Sequence, residues 1–423
     1  NETLPNGRQP TFTASYCARI VDGASTMFSK RTDWSLETNE LTRLANQRRQ
    51  LGLPLLDLTE SNPTRCGFNY DAAGPFASLV QYDAARYSPD PRGPLAARQA
   101  LTAYYKERGV TLDATQIFLT ASTSEAYSFV FKLLADPGEH VLAPRPSYPL
   151  FEFLARLDDV QCTSYPIAYE DRWSVNRSVL AAHAASNPKA VIVVHPNNPT
   201  GSFIHPDEAD FLIEQCRRYG TALIADEVFW DYLHPGKESV RAPSFAGQNR
   251  ALAFTLSGLS KVSGLPQMKC SWIVVSGPPD ERELALARLE VIADTYLSVS
   301  APVAHALPEL LAFRRVIQPQ ICERVAVNLR RLGEFFGTGL APSRFEAEGG
   351  WSAVLRLPAT QTDEDWAISL LRDDGIFVHP GHFYDFAQEG CVVVSLLPPP
   401  TIFEEGVRTI AARVRQHATP ASG

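Results

Sequence analysis

Four short apolar segments constrain the fold of this chain more than any other feature. Each is apolar throughout instead of alternating with polar residues, which is typical of strands covered on both faces. The segments are 190–195, 222–226, 251–256 and 271–275. Apolar residues recur at helical spacing over 206–219, between the first two segments. The order strand, helix, strand predicts a mainly parallel sheet with right-handed crossovers, and therefore an α/β fold.

The sequence pattern changes on either side of this region. Residues 1–56 are predicted to form a polar N-terminal arm followed by a helix, and residues 57–305 a large α/β domain. After about residue 305, a long helical region leads to short strands and two further helices, which predicts a smaller α+β domain over 306–423. A chain of 423 residues is long enough for two or three such units.

Composition and motifs disfavour several classes of function. The formal net charge is −8, which argues against a broad basic surface for nucleic acid or anionic membranes. No apolar segment approaches the roughly 20 residues of a membrane span, and the first ten residues lack the apolar core of a signal peptide. The seven cysteines are scattered without a CxxC pair, which indicates free thiols and a cytoplasmic location. No HExxH, GxxxxGK or GxGxxG motif supports a metal, nucleoside triphosphate or dinucleotide site.

Three polar residues are predicted to converge on one edge of the sheet. Asn198 follows the first strand, Asp226 closes the second and Lys261 follows the third. In an open parallel sheet, ligands bind outside the carboxyl ends of the strands. Each residue alone is a weak signal, since such positions are often helix caps, turns or solvated side chains.

The combination, with its surrounding motifs, resembles the fold type I pyridoxal-phosphate enzymes, in the class I/II aminotransferase branch. The resemblance extends from about residue 57 to 412. The segments that carry it are SNPT (61–64), RYSPDPRGPLAAR (86–98), TASTSEA (120–126), PRPSYPLFE (144–152), HPNNPTG (195–201), ADEVF (225–229), SGLSKVSGLPQMK (257–269) and GIFVHPGHF (375–383).

This resemblance implies a role for each residue at the sheet edge. Lys261 matches the Schiff-base lysine, whose pKa falls when the amine is desolvated, so that it can act as a nucleophile and base. Asp226 matches the carboxylate that keeps the pyridine nitrogen of pyridoxal 5′-phosphate protonated. Asn198 matches the donor to the phenolic oxygen of the ring, and Tyr148 matches the aromatic residue that stacks on its face.

The resemblance also implies a phosphate site and a homodimer. Hydroxyls at the start of the helix predicted over 124–134 would share the phosphate with the helix N-terminus. Tyr87 matches a tyrosine that reaches the phosphate of the partner subunit, which implies a homodimer with shared active sites. The phosphate candidates are Ser122, Thr123, Ser124, Ser260 and Lys269, the last where the family usually has arginine.

Three positions depart from the family pattern. Phe229 stands where the family usually has a tyrosine that bonds the phenolic oxygen, and Gly258 replaces a frequent serine. Val393 stands where most members have the arginine that clamps the α-carboxylate of the substrate. Either another cation supplies that anchor or the substrate is not a standard α-amino acid. The candidate substitutes are Arg65, Arg92, Arg241 and His382.

The leading prediction is an aminotransferase that moves an amino group from an amino acid or related amine to a 2-oxo acid. Two alternatives remain open. One is other carbanion chemistry on the same cofactor, as in a lyase, decarboxylase or racemase, because the fold does not decide which bond breaks. The other is a cofactor-binding protein with little catalysis.

Overall fold

The fold is described here from a computed structural model. The structure describes residues 27–34, 36–71, 74–80, 87–238 and 240–418. Most of the predicted N-terminal arm therefore lies outside the described residues. Within the described ranges, no helix combines the length and the apolar character needed to cross a membrane.

The largest element is an eight-stranded sheet in the order β2-β9-β8-β7-β6-β3-β4-β5. The pairs among β8, β7, β6, β3 and β4 are parallel, whereas β9 runs antiparallel to both β2 and β8, and β5 to β4. The predicted mainly parallel sheet is confirmed. The strands are β2 (Ile117–Thr120), β3 (His140–Arg145), β4 (Gln161–Tyr169), β5 (Trp173–Val175), β6 (Ala190–Val194), β7 (Ala222–Asp226), β8 (Ala253–Gly258) and β9 (Ser271–Ser276).

Two smaller sheets lie outside this one. A short parallel pair joins β1 (Leu56–Asp57) to β12 (Ile376–Phe377). A four-stranded antiparallel sheet has the order β10-β11-β14-β13, and its strands are β10 (Ser343–Arg344), β11 (Ser352–Arg356), β13 (His379–Pro380) and β14 (Cys391–Ser395). The boundaries proposed for the arm and the two domains stay a prediction.

Helices cover the sheets and supply much of the buried apolar surface. The helices are α1 (Glu40–Gln50), α2 (Leu95–Lys106), α3 (Thr123–Leu134), α4 (Leu150–Leu157), α5 (Arg177–Ala184), α6 (Pro206–Tyr219), α7 (Leu259–Val262), α8 (Pro279–Tyr296), α9 (Ala301–His305), α10 (Leu307–Ala312), α11 (Arg314–Phe335), α12 (Asp363–Asp374) and α13 (Pro400–Ala418).

Local sequence signals explain several helix boundaries. The helix predicted over 206–219 is confirmed, with proline in its first turn and Gly220 in the left-handed conformation (φ 61°) at its end. The long helical region predicted after about residue 305 is instead divided into α10 and α11, which meet at Phe313. Its pattern gave no sign of this break, because apolar residues continue across it.

Candidate active site

A cavity of about 240 Å³ opens at the carboxyl ends of the central parallel strands. The last residues of β6, β7 and β8, which are Val194, Asp226 and Gly258, all contribute to its wall. Its position is the one where open α/β sheets bind ligands. The predicted residues Asn198, Asp226 and Lys261, from distant parts of the chain, meet there.

Lys261 lies on the short helix α7, directly after β8. Its Nζ is 4.9 Å from the ring centre of Trp351 and 5.2 Å from that of Phe229. Burial lowers the pKa of Lys261 to about 8, although the negative charge of Asp226 acts in the opposite direction. The hydroxyl of Tyr232 donates to the Lys261 carbonyl at 2.6 Å and fixes the backbone of this turn. The lysine can therefore supply a neutral amine near physiological pH.

Asp226 is a buried carboxylate with two donors. Its Oδ1 accepts from the backbone N–H of Val228 at 3.2 Å, and its Oδ2 accepts from the hydroxyl of Tyr127 at 3.2 Å. Burial raises the pKa of Asp226 to about 6, and the two hydrogen bonds and Lys261 partly oppose that effect. A buried carboxylate of this kind is stabilised in its charged form by a cationic partner such as a protonated ring nitrogen. Sequence reasoning missed Tyr127, whose spacing on α3 indicates only an inward-facing aromatic residue.

Asn198 and Tyr148 line the cavity from two loops. The hydroxyl of Ser352 donates to Asn198 Oδ1 at 3.4 Å, which leaves the amide N–H₂ of Asn198 to donate to a ligand. Tyr148 immediately precedes Pro149, the N-cap of α4, and is 40% exposed. Its ring is thus available to a planar group in the cavity.

The three hydroxyl residues predicted to bind the phosphate at the start of α3 do not all face the cavity. Thr123 and Ser124 line the cavity, whereas Ser122 caps the helix and accepts from the Glu125 N–H at 3.1 Å. The carboxylate of Glu125 turns back to accept from the Ala121 N–H at 2.7 Å. The N-terminus of α3 can consequently receive an anion through its unpaired N–H groups and two hydroxyls.

Ser271 was missed by sequence reasoning and explains why Gly258 is tolerated. The two residues are partners in the antiparallel pair of β8 and β9. A Cβ built on Gly258 would lie 2.2 Å from Ser271 Oγ and 2.9 Å from its Cβ. Ser271 thus fills the space of a side chain at position 258 and brings a hydroxyl to the cavity wall.

The remaining phosphate candidates differ in position. Ser260 lines the cavity. Lys269 is exposed, lies outside the lining and has a left-handed backbone conformation (φ 48°) at the end of a 3-10 turn. Tyr87 is 80% exposed and borders a separate hollow with Leu297 and Ala301. A phosphate role for Lys269 has no support from its position in this subunit, and the role of Tyr87 stays a prediction.

Val393 lines the cavity, so the position matched to the carboxylate-binding arginine does face the site. None of the four proposed substitutes contributes to the lining. Each has another partner: Arg65 pairs with Glu60 and Arg92 with Glu290, Arg241 bonds the carbonyl of Trp230, and His382 bonds Asp363. The prediction that one of them reaches the substrate is not supported by these positions.

Aromatic residues close the cavity on the side of the small sheets. Trp351 and Phe229 pack edge to face with ring centres 5.2 Å apart. His379 begins β13 and lines the cavity. Its Nδ1 lies 3.0 Å from the hydroxyl of Tyr384, a further wall residue that sequence reasoning missed.

Comparison with known proteins agrees with this geometry. The family described as aminotransferase class I and II matches residues 79–403. A glutamate-pyruvate aminotransferase, AlaA, of Haemophilus influenzae is 26% identical over 262 residues, or 62% of this chain and 64% of the relative. The chain therefore aligns with slightly less than two thirds of that relative. An alanine aminotransferase of Mycobacterium tuberculosis is 24% identical over 342 residues, or 78% of each chain.

Solved structures share the fold. An alanine aminotransferase from Pyrococcus furiosus superposes with a TM-score of 0.79 at 19% identity, covering 89% of this chain and 96% of the other. An aminotransferase from Escherichia coli gives a TM-score of 0.78 at 19% identity, covering 89% and 95%.

The cavity suits pyridoxal 5′-phosphate, the cofactor of this family. Lys261 offers an amine for the aldehyde, Asp226 a buried carboxylate for the ring nitrogen, and Asn198 a donor for the phenolic oxygen. The start of α3 offers N–H groups and hydroxyls for the phosphate. The family match over most of the chain and this set of groups support the same assignment. The chain belongs to the class I and II aminotransferase family.

Proposed function

We propose that this protein is a pyridoxal-phosphate-dependent aminotransferase that moves an amino group from an amino acid or related amine to a 2-oxo acid. The proposal rests mainly on one observation. Lys261, Asp226 and Asn198 line the same cavity at the carboxyl ends of the parallel strands. The activities named for the relatives from Haemophilus influenzae and Mycobacterium tuberculosis support the same reaction class.

Lys261 and Asp226 have separate roles in the proposed reaction. When bound, pyridoxal phosphate supplies an aldehyde that links to amines and a ring that withdraws electrons from the adjacent substrate carbon. Asp226 would keep a proton on the ring nitrogen, and the Tyr127 hydroxyl, which donates to Asp226 Oδ2, would stabilise the negative charge of that carboxylate. The Nζ of Lys261 would bind the aldehyde, and as a free amine it would accept a proton from the substrate carbon and hold it for return as a general acid. The lowered pKa of Lys261, about 8, suits both directions of that transfer.

Two features shape how the cofactor is held. The Asn198 amide would be the donor to the phenolic oxygen, because Phe229 has no hydroxyl to share that task. Thr123, Ser124 and the N–H groups at the start of α3 would hold the phosphate, and Ser260 and Ser271 would offer further hydroxyls from the lining of the same cavity. The rings of Trp351 and Phe229, which pack against each other beside Lys261, limit the access of water to its Nζ.

The absorbance spectrum of the cofactor tests this function. Adding a panel of amino donors without acceptor should convert the band of the lysine-bound cofactor into that of the pyridoxamine form, and a 2-oxo acid should restore it. Lys261→Ala should hold the cofactor only non-covalently and lose the lysine-bound band. Product formation without any acceptor would instead favour a lyase or decarboxylase, and a band that no donor changes would favour a binding role.

We further propose a homodimer with shared active sites. Tyr87 is 80% exposed, so its side chain is accessible to a partner subunit. If Tyr87 serves the partner's site, mixing the inactive Lys261→Ala and Tyr87→Ala proteins should restore activity, because one site of each hybrid keeps both residues. A monomeric mass in solution, or no recovery on mixing, would contradict this proposal.

We also propose a cytoplasmic location. The six cysteines within the described residues have free thiols, as expected in a reducing compartment. Cell fractionation of the native host tests the location, and recovery with exported proteins would contradict it.

A further inference from the structure

The wall of the cavity carries an unusual pair of side chains, His379 and Tyr384. The imidazole Nδ1 and the phenol oxygen are 3.0 Å apart, and both residues line the same cavity as Lys261. Two elements bring them together, since His379 begins β13 and Tyr384 lies in the turn that follows it. Neither residue has a task in the cofactor chemistry described above.

The pair is held firmly in place. His379 is the register partner of Val393 in the antiparallel pair of β13 and β14. The Tyr384 carbonyl accepts from the Ser147 N–H at 3.0 Å, directly before Tyr148. The Ser147 hydroxyl in turn donates to Asn197 Oδ1 at 2.8 Å. The pair is therefore a preorganised part of the wall and does not depend on a ligand to form.

The pair is electrically neutral in this setting. Burial lowers the pKa of His379 to about 4, and the carboxylate of Asp57 only partly opposes that effect. Asp57 is itself engaged, because its Oδ1 accepts from the N–H and the hydroxyl of Thr59, and Arg49 lies 3.5 Å from its Oδ2. Burial also raises the pKa of Tyr384, so the phenol keeps its proton.

A neutral pair of this kind offers one donor and one acceptor, whichever tautomer the imidazole adopts. If the Tyr384 hydroxyl donates to Nδ1, then Nε2–H remains as a donor and the phenol oxygen as an acceptor. If Nδ1–H donates to the phenol, then the hydroxyl remains as a donor and Nε2 as an acceptor. Hydroxyl and carboxamide groups complement such a pair, whereas a carboxylate has acceptors only.

The rest of the wall gives no charge to balance a carboxylate. Among the described lining residues of this subunit, only Lys261 and Asp226 are a lysine, arginine, aspartate or glutamate, and both have tasks on the cofactor. Val393 is the register partner of His379, and the lining also includes the hydroxyl residues Ser352 and Ser395. Desolvating a carboxylate against this surface without a cation is costly.

We propose that the pair of His379 and Tyr384 is the recognition element for the amino donor, and that the preferred donor carries a neutral hydrogen-bonding group beside its amine, as amino alcohols and amino amides do. This inference rests on the proposed aminotransferase function, whose substrate class it narrows.

The test compares three donors that differ only in that group: L-phenylalanine, L-phenylalaninamide and L-phenylalaninol. The cofactor-loaded full chain is mixed with each donor without acceptor, and the conversion of the lysine-bound band gives kcat/KM for the first half-reaction. The amide or the alcohol should exceed the acid by about tenfold or more, the size of effect expected for one unsatisfied polar group. A preference for the acid would overturn the inference.

Two variants assign the preference to the pair. Tyr384→Phe and His379→Asn should each reduce the ratio of amide to acid by about tenfold, since each removes one hydrogen bond. Tyr169→Phe makes the same chemical change outside the cavity and should leave the ratio unchanged. An unaltered ratio of amide to acid in both folded variants would overturn the inference. If one variant does not fold, the other still tests the inference by itself.

Calorimetric affinities separate this inference from the proposed function. If no donor of any kind converts the band, the proposed function fails. The affinities of the same three compounds for the cofactor-loaded chain then decide the inference, and tighter binding of the acid than of the amide and the alcohol would overturn it.

Discussion

A serine introduced at Gly258 is expected to destabilise the protein, because its Cβ would occupy space that Ser271 already fills. The backbone of Gly258 is extended (φ −173°, ψ 162°), a conformation that any residue adopts, so the cost comes from contacts alone. The Cβ would lie 2.2 Å from Ser271 Oγ, 2.9 Å from its Cβ and 3.2 Å from its Cα. Rotating the hydroxyl of Ser271 removes the first contact but neither of the other two.

The contacts of the new Cβ with Ser271 Cβ and Cα set the expected loss of folding stability. Overpacking of this kind costs about 1–3 kcal/mol. The single change Ser271→Gly should cost about 0.5–1 kcal/mol, the usual penalty for glycine in a strand. The double variant Gly258→Ser with Ser271→Gly should lose less stability than the sum of the two single changes, by about 1–2 kcal/mol, because the colliding atoms are gone.

Urea unfolding of the cofactor-free protein, followed by circular dichroism, measures the four free energies of this cycle. Gly337→Ser is a suitable control, since a Cβ there has no atom within 4 Å. Titration with pyridoxal phosphate adds a second observable: the double variant should bind it more tightly than Gly258→Ser alone, because the two side chains no longer collide and the cavity wall keeps its shape. An unchanged unfolding midpoint for Gly258→Ser, or strictly additive effects in the double variant, would refute the reasoning.

Three further predictions concern the lysine and its supports. Because burial lowers the pKa of Lys261 to about 8, covalent capture of added pyridoxal phosphate should accelerate by about tenfold per pH unit below that value and level off above it; a stopped-flow rate that is constant from pH 6 to 8 would contradict this. Tyr127→Phe removes a donor to Asp226 and should weaken cofactor binding by about tenfold in equilibrium titrations, whereas an unchanged affinity would show that the hydroxyl does not support the carboxylate. Tyr232→Phe removes the donor to the Lys261 carbonyl and should lower kcat more than it changes KM, with a stability loss of about 1 kcal/mol; a change confined to stability would leave Tyr232 a purely structural residue.

The sequence alone determined the class of the fold and the centre of the site. Apolar strands alternating with a helix dictate parallel pairing through short-range periodicity, and the strands 190–195 and 222–226 lie within one residue of the observed β6 and β7. Lys261, Asp226 and Asn198 could be placed together for a related reason. Asp226 closes a parallel strand, and Asn198 and Lys261 follow the ends of two others within a few residues. The carboxyl ends of neighbouring parallel strands meet at one edge.

Only the tertiary structure decided which side chains support and surround that centre. Tyr127 bonds a carboxylate 99 residues away, and Ser271 fills the space beside Gly258 through antiparallel pairing of two strands. The pair of His379 and Tyr384 becomes part of the wall through the register of β13 with β14 and the contact with Ser147. Such contacts depend on how distant elements pack, and no local spacing of residues encodes that packing.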